Sequence, residues 1–317
     1  MTLERTVSRE KSRGGYFRVL GRDIRRDRWL YCMLVPTLLY FVIFVYRPIW
    51  GLKIAFQDYN VFLGADGSPW VGFKHFHNFF TGPYFWRLLR NTVALSLYGL
   101  VIGFPIPIIL ALLFNEMRCK ALQKTAQTAT YIPHFVSAVV VAGLVTDFLS
   151  PGSGIINNIV EAFGGERKYF LMEPRYFRWI YTLMNVWKGA GFSSIIYLAA
   201  LTAADESLYE AAVLDGANRW KQVWHVSLPA ILPTIVTMLI INVGNLLNVG
   251  YEVVILLYQP ATYETSDIIN TYVYRTGLLD GQYSPAAAIG MFNGVVGFVL
   301  VCLANKLSKR ITEYSLW

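Results

Sequence analysis

Five stretches of this chain run for roughly 20 residues without a charged side chain: 29–46, 91–115, 125–146, 226–251 and 281–305. A sixth, 179–204, is interrupted only by Lys188. A bilayer core is about 30 Å thick and a helix rises about 1.5 Å per residue, so each stretch is long enough to cross once. Backbone N–H and C=O groups find no water at that depth, and runs this continuous lack the alternation of barrel strands. The expected fold class is therefore an all-α membrane protein with six transmembrane helices. A mean hydropathy of +0.42 over 317 residues and a hydrophobic share of 55% agree with it.

The net charge of +8 does not need a nucleic-acid partner to explain it, because nine of the 28 Lys and Arg lie between Arg5 and Arg28, ahead of the first span. Placing both termini in the cytoplasm puts 17 of the 28 on that side, including Arg118, Lys120, Lys124, Arg219, Lys221, Lys306, Lys309 and Arg310. The first segment carries most of this orientation. A cleaved signal peptide would need small residues after the apolar run, where Arg47 and Pro48 stand, so the run reads as an uncleaved anchor. The expected division is a basic cytoplasmic segment over 1–28, a transmembrane domain over 29–305 and a cytoplasmic tail over 306–317. Cys32 and Cys302 fall in spans and Cys119 in a loop, which implies no disulfide framework. His75 and His77 in the aromatic outer stretch read as interfacial residues, and no metal site is expected. Glu264, Asp267 and Asp280 make the segment 258–284 a candidate acidic surface for a partner.

The cytoplasmic loop 203–228 carries a pattern of its own. Leu208, Ala211 and Ala212 share a helical face, Ser207 is placed to cap its start, and Gly216 suits the left-handed residue that ends a helix. A second short helix with Trp220, Val223 and Trp224 on its apolar face is expected next, with Ser227-Leu228-Pro229 turning the chain back into the membrane. In these residues, Glu210, Ala211, Ala212, Asp215, Gly216, Ala217, Leu228 and Pro229, the chain resembles the Glu-Ala-Ala loop of ABC import permeases. Pro36, Gly72-Phe73, Asn78-Phe79, Phe85-Trp86-Arg87, Asn91-Thr92, Pro133 with Ser137, Pro151, Gly154 through Asn157 and Trp187 with Gly189 extend the resemblance to the carbohydrate-uptake branch, which includes maltose and alginate importers.

The resemblance implies a permease subunit in a prokaryotic plasma (inner) membrane, with an oligosaccharide as substrate and membrane lipid around it. Its implied partners are a second, different permease, a cytoplasmic ABC ATPase dimer and an extracytoplasmic solute-binding protein. ATP and Mg belong to that ATPase; this chain binds no cofactor, carries no phosphate-binding loop and is not itself an enzyme. Glu210, Ala211, Ala212, Asp215, Gly216 and Ala217 are implied to couple ATPase motion to the spans. An ABC permease for another solute, such as amino acids or phosphate, shares this loop. An intramembrane enzyme would need a catalytic constellation, and none is visible at suitable spacing.

Polar side chains inside apolar spans mark a candidate translocation path. On a continuous helix Asn242, Asn245, Asn248 and Glu252 fall within an arc of roughly 120°. Asn185 and Lys188 lie at i and i+3 in span four, near Trp187 and Tyr181. Lys188 needs an anion: Glu252 or Asp147 within the chain, or an acidic glycan passing by. Gly290 and Gly294 read as helix-packing positions.

Overall fold

The computed structural model describes residues 26–311; most of the basic segment 1–28 and the end of the tail 306–317 lie outside the described residues. The chain divides into a unit ending at Lys53 and one beginning at Ile54. The first is helical from Arg28 onward, with Pro36 inside the helix and a π-turn over Phe41–Tyr46.

Four helices are long and apolar enough to cross a membrane: Arg28–Phe56, Phe85–Glu116, Arg219–Gly244 and Tyr283–Arg310. Two bent helix pairs pass the same test together, which gives up to six spans when each pair is taken as one crossing. The pair Lys120–Phe135 and Ala138–Phe148 meets at 101°, so the expected straight run over 125–146 is corrected to a broken one. Pro133, which has no N–H to continue the ladder, sits in a 3₁₀ turn there, and Ser137 restarts the helix by accepting the Val140 N–H at 3.3 Å. The second pair is Pro174–Thr202 with Glu206–Leu214, bent by 73°. Among the described residues there is no strand, only an isolated bridge between Gln57 and Trp70.

Helix Pro174–Thr202 is the centre of the second unit. Its Phe177, Tyr181 and Met184 pack with Leu95, Val141, Val254, Leu257 and Ile268. Further along, Tyr197 and Leu201 pack with Ile108, Ala111 and Ile231. Gly191 permits the closest crossing, because a Cβ there would strike the Thr130 carbonyl.

The segment 258–284 is pinned to this core by a buried ion cluster. Asp267 is fully buried and takes Arg87 Nη2 and Arg275 Nη2 at 3.0 Å each, while Thr271 Oγ1 donates to it at 2.9 Å. Asn91 Nδ2 donates to the Asp267 backbone carbonyl at 3.0 Å, Asn91 Oδ1 accepts from Arg178 at 3.1 Å, and Thr92 Oγ1 accepts the Ile269 N–H at 3.0 Å. Asp267 is thus withdrawn from the candidate acidic surface. Two cations and a hydroxyl close over one carboxylate, and burial makes that closure obligatory. Outside the spans, His75 Nε2 lies 3.0 Å from the Gln57 carbonyl and 3.1 Å from the Asp58 carboxylate, a local clasp. Lys74, bonded to Asp58 at 2.6 Å, holds that carboxyl below its usual range.

Replacing Asp267 by Ala strands both arginines, so Asp267→Ala is expected to lower stability by on the order of 3 kcal/mol. The midpoint of thermal aggregation of the purified protein in detergent measures it, with Glu264→Ala, an exposed neighbour, expected to leave it within the error.

Candidate functional site

The loop after span four begins at Asp205, whose Oδ1 accepts the Ser207 N–H at 2.9 Å. Asp205, rather than Ser207, is therefore the cap: its carboxylate reaches forward to a free N–H of the first turn, in which Ser207 already lies. That bond holds the Asp205 carboxyl below its usual range. A depressed carboxyl contributes its cap fully above the unfolded value and loses it only as pH falls through the folded one, so the cap is intact at neutral pH. Helix Glu206–Leu214 ends in a Schellman turn: Gly216 has φ +73, its N–H bonds the Val213 carbonyl at 3.0 Å, and the Ala217 N–H bonds the Ala212 carbonyl at 2.9 Å.

Asn218 then caps the next helix through the Lys221 N–H at 2.9 Å. That helix does not turn at Ser227-Leu228-Pro229. It runs on through a π-turn over Val223–Ser227 into span five, because Pro229 falls where the π-turn hands over to a new first helical turn. Tyr209 and Ser227 share a hydrogen bond at 3.0 Å, and Arg219 pairs with Glu116 at 3.1 Å, so the loop helix is tied to span five and the end of span two. Glu210, Ala211, Asp215 and Gly216 are exposed, Ala212 and Ala217 half-buried, and Leu214 is 88% exposed. An apolar helix held rigidly and left uncovered is a surface for a partner.

Span five ends at Gly244, and helix starts again only at Tyr251. The single polar face expected through Asn242, Asn245, Asn248 and Glu252 is corrected accordingly: the helix ends at Gly244, where a Cβ would strike Val301 and the carbonyl lies close against Gly297, and the chain is unwound between Asn245 and Gly250. The unwinding nevertheless gathers three of the four. Asn242, Asn245 and Asn248 line one cavity of about 330 Å³ together with Asn185, Tyr181, Thr182 and Ser193. Asn245 and Asn248 also line a second cavity of about 520 Å³, against Asn270, Asn293 and the glycines of the last helix. Gly290 and Gly294 open onto that space instead of packing a helix; Gly244 and Gly297 make the close approach.

Glu252 and Lys188 line neither cavity. Glu252 starts the helix Tyr251–Leu257 and is exposed, while Lys188 is half-buried, flanked by the lining positions Val186 and Gly189. Among the described residues no ion pair joins Lys188 to Glu252, which lies beyond the unwound segment. Trp187 lies over a separate apolar groove with Met184 and Ile156, and Tyr181 alone of the expected aromatic residues lines the first cavity. Asn270 and Asn293 were not among the sequence candidates, because each stands singly in a segment with no repeating polar pattern.

Residues 103–313 match the family described as "Binding-protein-dependent transport system inner membrane component". Over 292 residues the chain is 48% identical to the polygalacturonan/rhamnogalacturonan transport system permease protein YteP of Bacillus subtilis, covering 92% of this chain and 91% of that protein. It is 43% identical to the protein LplB of the same organism over 93% and 92% of the two chains. Among solved structures, a bacterial ABC transporter involved in import of the acidic polysaccharide alginate contains a chain 49% identical, with a TM-score of 0.86 over 92% of this chain and 99% of that one.

The cavity wall yields a direct test. In a background with Cys32, Cys119 and Cys302 replaced, cysteine at Asn245 or Asn248 is expected to react with a polar, charged thiol reagent, and cysteine at the fully buried Val254 to stay inert. Equal inertness at all three positions would show the wall to be dry packing.

Proposed function

The chain belongs to the family of binding-protein-dependent transport system inner membrane components, and from that premise we propose that it carries acidic oligosaccharides through a pore shared with a second permease. It is a multi-pass permease subunit of an ABC importer, and the ATPase is a separate chain. The observation that carries the substrate class is the asparagine-lined cavity, whose amides offer donors and acceptors to sugar hydroxyls and carboxylates. Relatives named for polygalacturonan and alginate transport, all uronate polymers, favour an acidic glycan over a neutral one or an amino acid. Lys188 and Glu252, outside the single-chain cavity, belong to the path where the second permease completes it. Lys188 there offsets substrate charge.

The loop helix is the coupling element. Glu210 and Asp215 present charge to a cytoplasmic ATPase dimer that binds ATP and Mg, Ala211, Ala212 and Ala217 allow close seating, and Gly216 sets the exit direction. An extracytoplasmic solute-binding protein delivers the glycan from the other side, and the excess of Lys and Arg ahead of the first span supports a cytoplasmic side for both termini. The basic segment 1–28 and the tail 306–317 lie on that same side of the transmembrane domain 29–305.

Two experiments test this reading. Gly216 has open space around it, so only its backbone matters: β-branched substitution there costs roughly 1–2 kcal/mol of left-handed strain. Transport by the assembled complex is expected to fall in the order Gly216→Asn, Gly216→Ala, Gly216→Val, with membrane insertion unchanged; wild-type transport by the valine variant refutes the coupling role. For substrate, proteoliposomes holding the full complex are expected to accumulate labelled oligouronate in preference to the neutral oligosaccharide and to amino acids, and Lys188→Gln to reduce the oligouronate rate about tenfold. Preferential uptake of an amino acid would replace the substrate assignment, and an undiminished Lys188→Gln rate would remove that lysine from the path.

A further inference from the structure

Three asparagines from separate elements form one hydrogen-bonded chain beside the cavity. Asn270 Nδ2 lies 3.1 Å from the Val249 carbonyl and 3.2 Å from Asn248 Oδ1, and Asn270 Oδ1 lies 2.8 Å from Asn293 Nδ2. The oxygen and nitrogen of an amide are normally assigned by their surroundings. Here a single backbone atom decides all three. A carbonyl oxygen only accepts, so the Asn270 group facing Val249 must be its NH₂. The second hydrogen of that NH₂ requires an oxygen from Asn248, which leaves the Asn248 NH₂ as the free end of the chain. The Asn270 oxygen in turn requires the NH₂ of Asn293, whose own Oδ1 is buried without a partner at the other end.

The chain is therefore polarised, with its donor end at Asn248, in the wall common to both cavities, and its acceptor end at Asn293. We propose that Asn270 is a positioning residue of the substrate path: it holds the unwound segment and turns the Asn248 NH₂ toward an acceptor on the ligand. That acceptor is an uronate carboxylate or a sugar hydroxyl oxygen. This assignment rests on the oligosaccharide reading and adds to it a direction of hydrogen bonding. Ser96 Oγ donates to the Leu246 carbonyl, so the backbone of the unwound segment is held at two points, Leu246 and Val249.

The test uses the complete importer in proteoliposomes, with rates normalised to assembled complex. Asn270→Asp keeps the shape and removes both donations, so Asn248 reverses and offers its oxygen. The half-saturating concentration for oligouronate is expected to rise about tenfold. If the acceptor is the carboxylate, the neutral oligosaccharide changes less than about twofold; if it is a hydroxyl oxygen, both change alike. In an Asn248→Ala background the same Asn270→Asp substitution is expected to add less than about twofold, because its effect passes through Asn248. Equal cost in both backgrounds overturns the proposal. Should the aspartate variant fail to assemble, Asn270→Leu, uncharged and of similar size, must show the same dependence on Asn248. If the unaltered complex accumulates neither glycan, the substrate reading has failed separately. The rate of thiol labelling at Asn245→Cys then decides: a change of about threefold or more on adding Asn270→Leu is expected, and an unchanged rate overturns the relay.

Discussion

Hydrocarbon offers no water to a broken helix, so the carbonyls freed where a span is interrupted must be answered from within the protein, by tightened turns or by side chains. In this protein that constraint is met largely by asparagine. Asn157, fully buried, donates to the carbonyls of Leu149, Ser150 and Lys168 and accepts the Lys168 N–H, closing the loop after the bent third span. Asn91 answers the carbonyls of Tyr263 and Asp267, and Asn270 that of Val249. An amide does this without a net charge to desolvate, and the second half of the same group remains to reach another element. The cavity follows from the constraint: where span five unwinds after Gly244, the residues that satisfy the break also line the space it opens.

The two parts of the chain with local chemical signatures were legible in the sequence. Apolar length, with Lys188 the one interruption, located the four long apolar helices and the two bent pairs, and the small residues ending at Gly216 located the loop helix, since a left-handed cap depends on one residue's backbone. The rest depended on contacts far apart in sequence. Nothing local distinguishes 245–250 from helix: the polar period of Asn242, Asn245 and Asn248 is itself helical. The helix ends where Gly244 meets Gly297 and Val301 of the last helix, more than 50 residues on, a contact no local pattern announces. Asp267 looks like an exposed acid in a polar segment until Arg87, 180 positions earlier, is brought to it. The grouping of Asn185 with Asn242, Asn245 and Asn248 survived the loss of the straight helix because it rested on the cost of polar side chains in lipid. The placing of Glu252 on the same face rested on the wheel, and the wheel does not hold past Gly244, so Glu252 stands apart from the single-chain cavity.

A path for a charged polymer must bind well enough to admit it and weakly enough to release it. A lysine fixed in the narrowest polar wall would favour the first at the expense of the second, since a desolvated ion pair must be broken to let the substrate go. Amide donors are weaker and can be renewed along the wall, one sugar unit handing over to the next. The described structure has that arrangement: neutral amides from spans four and five line the cavity, while Lys188 stands beside the lining positions. On the proposed reading, a cation near the path raises the local concentration of an acidic glycan through longer-range attraction, which does not depend on a single contact geometry. Direction comes from elsewhere. The amide wall is fastened to the Val249 and Leu246 carbonyls, in the unwound segment that directly follows span five, and at its other end span five runs without a turn into the loop helix that starts at Arg219. On the proposed coupling, a displacement of Glu206–Leu214 passes through the Tyr209–Ser227 bond and the continuous helix Arg219–Gly244 to that segment. On that coupling a single helix is the link between the loop and the amide wall.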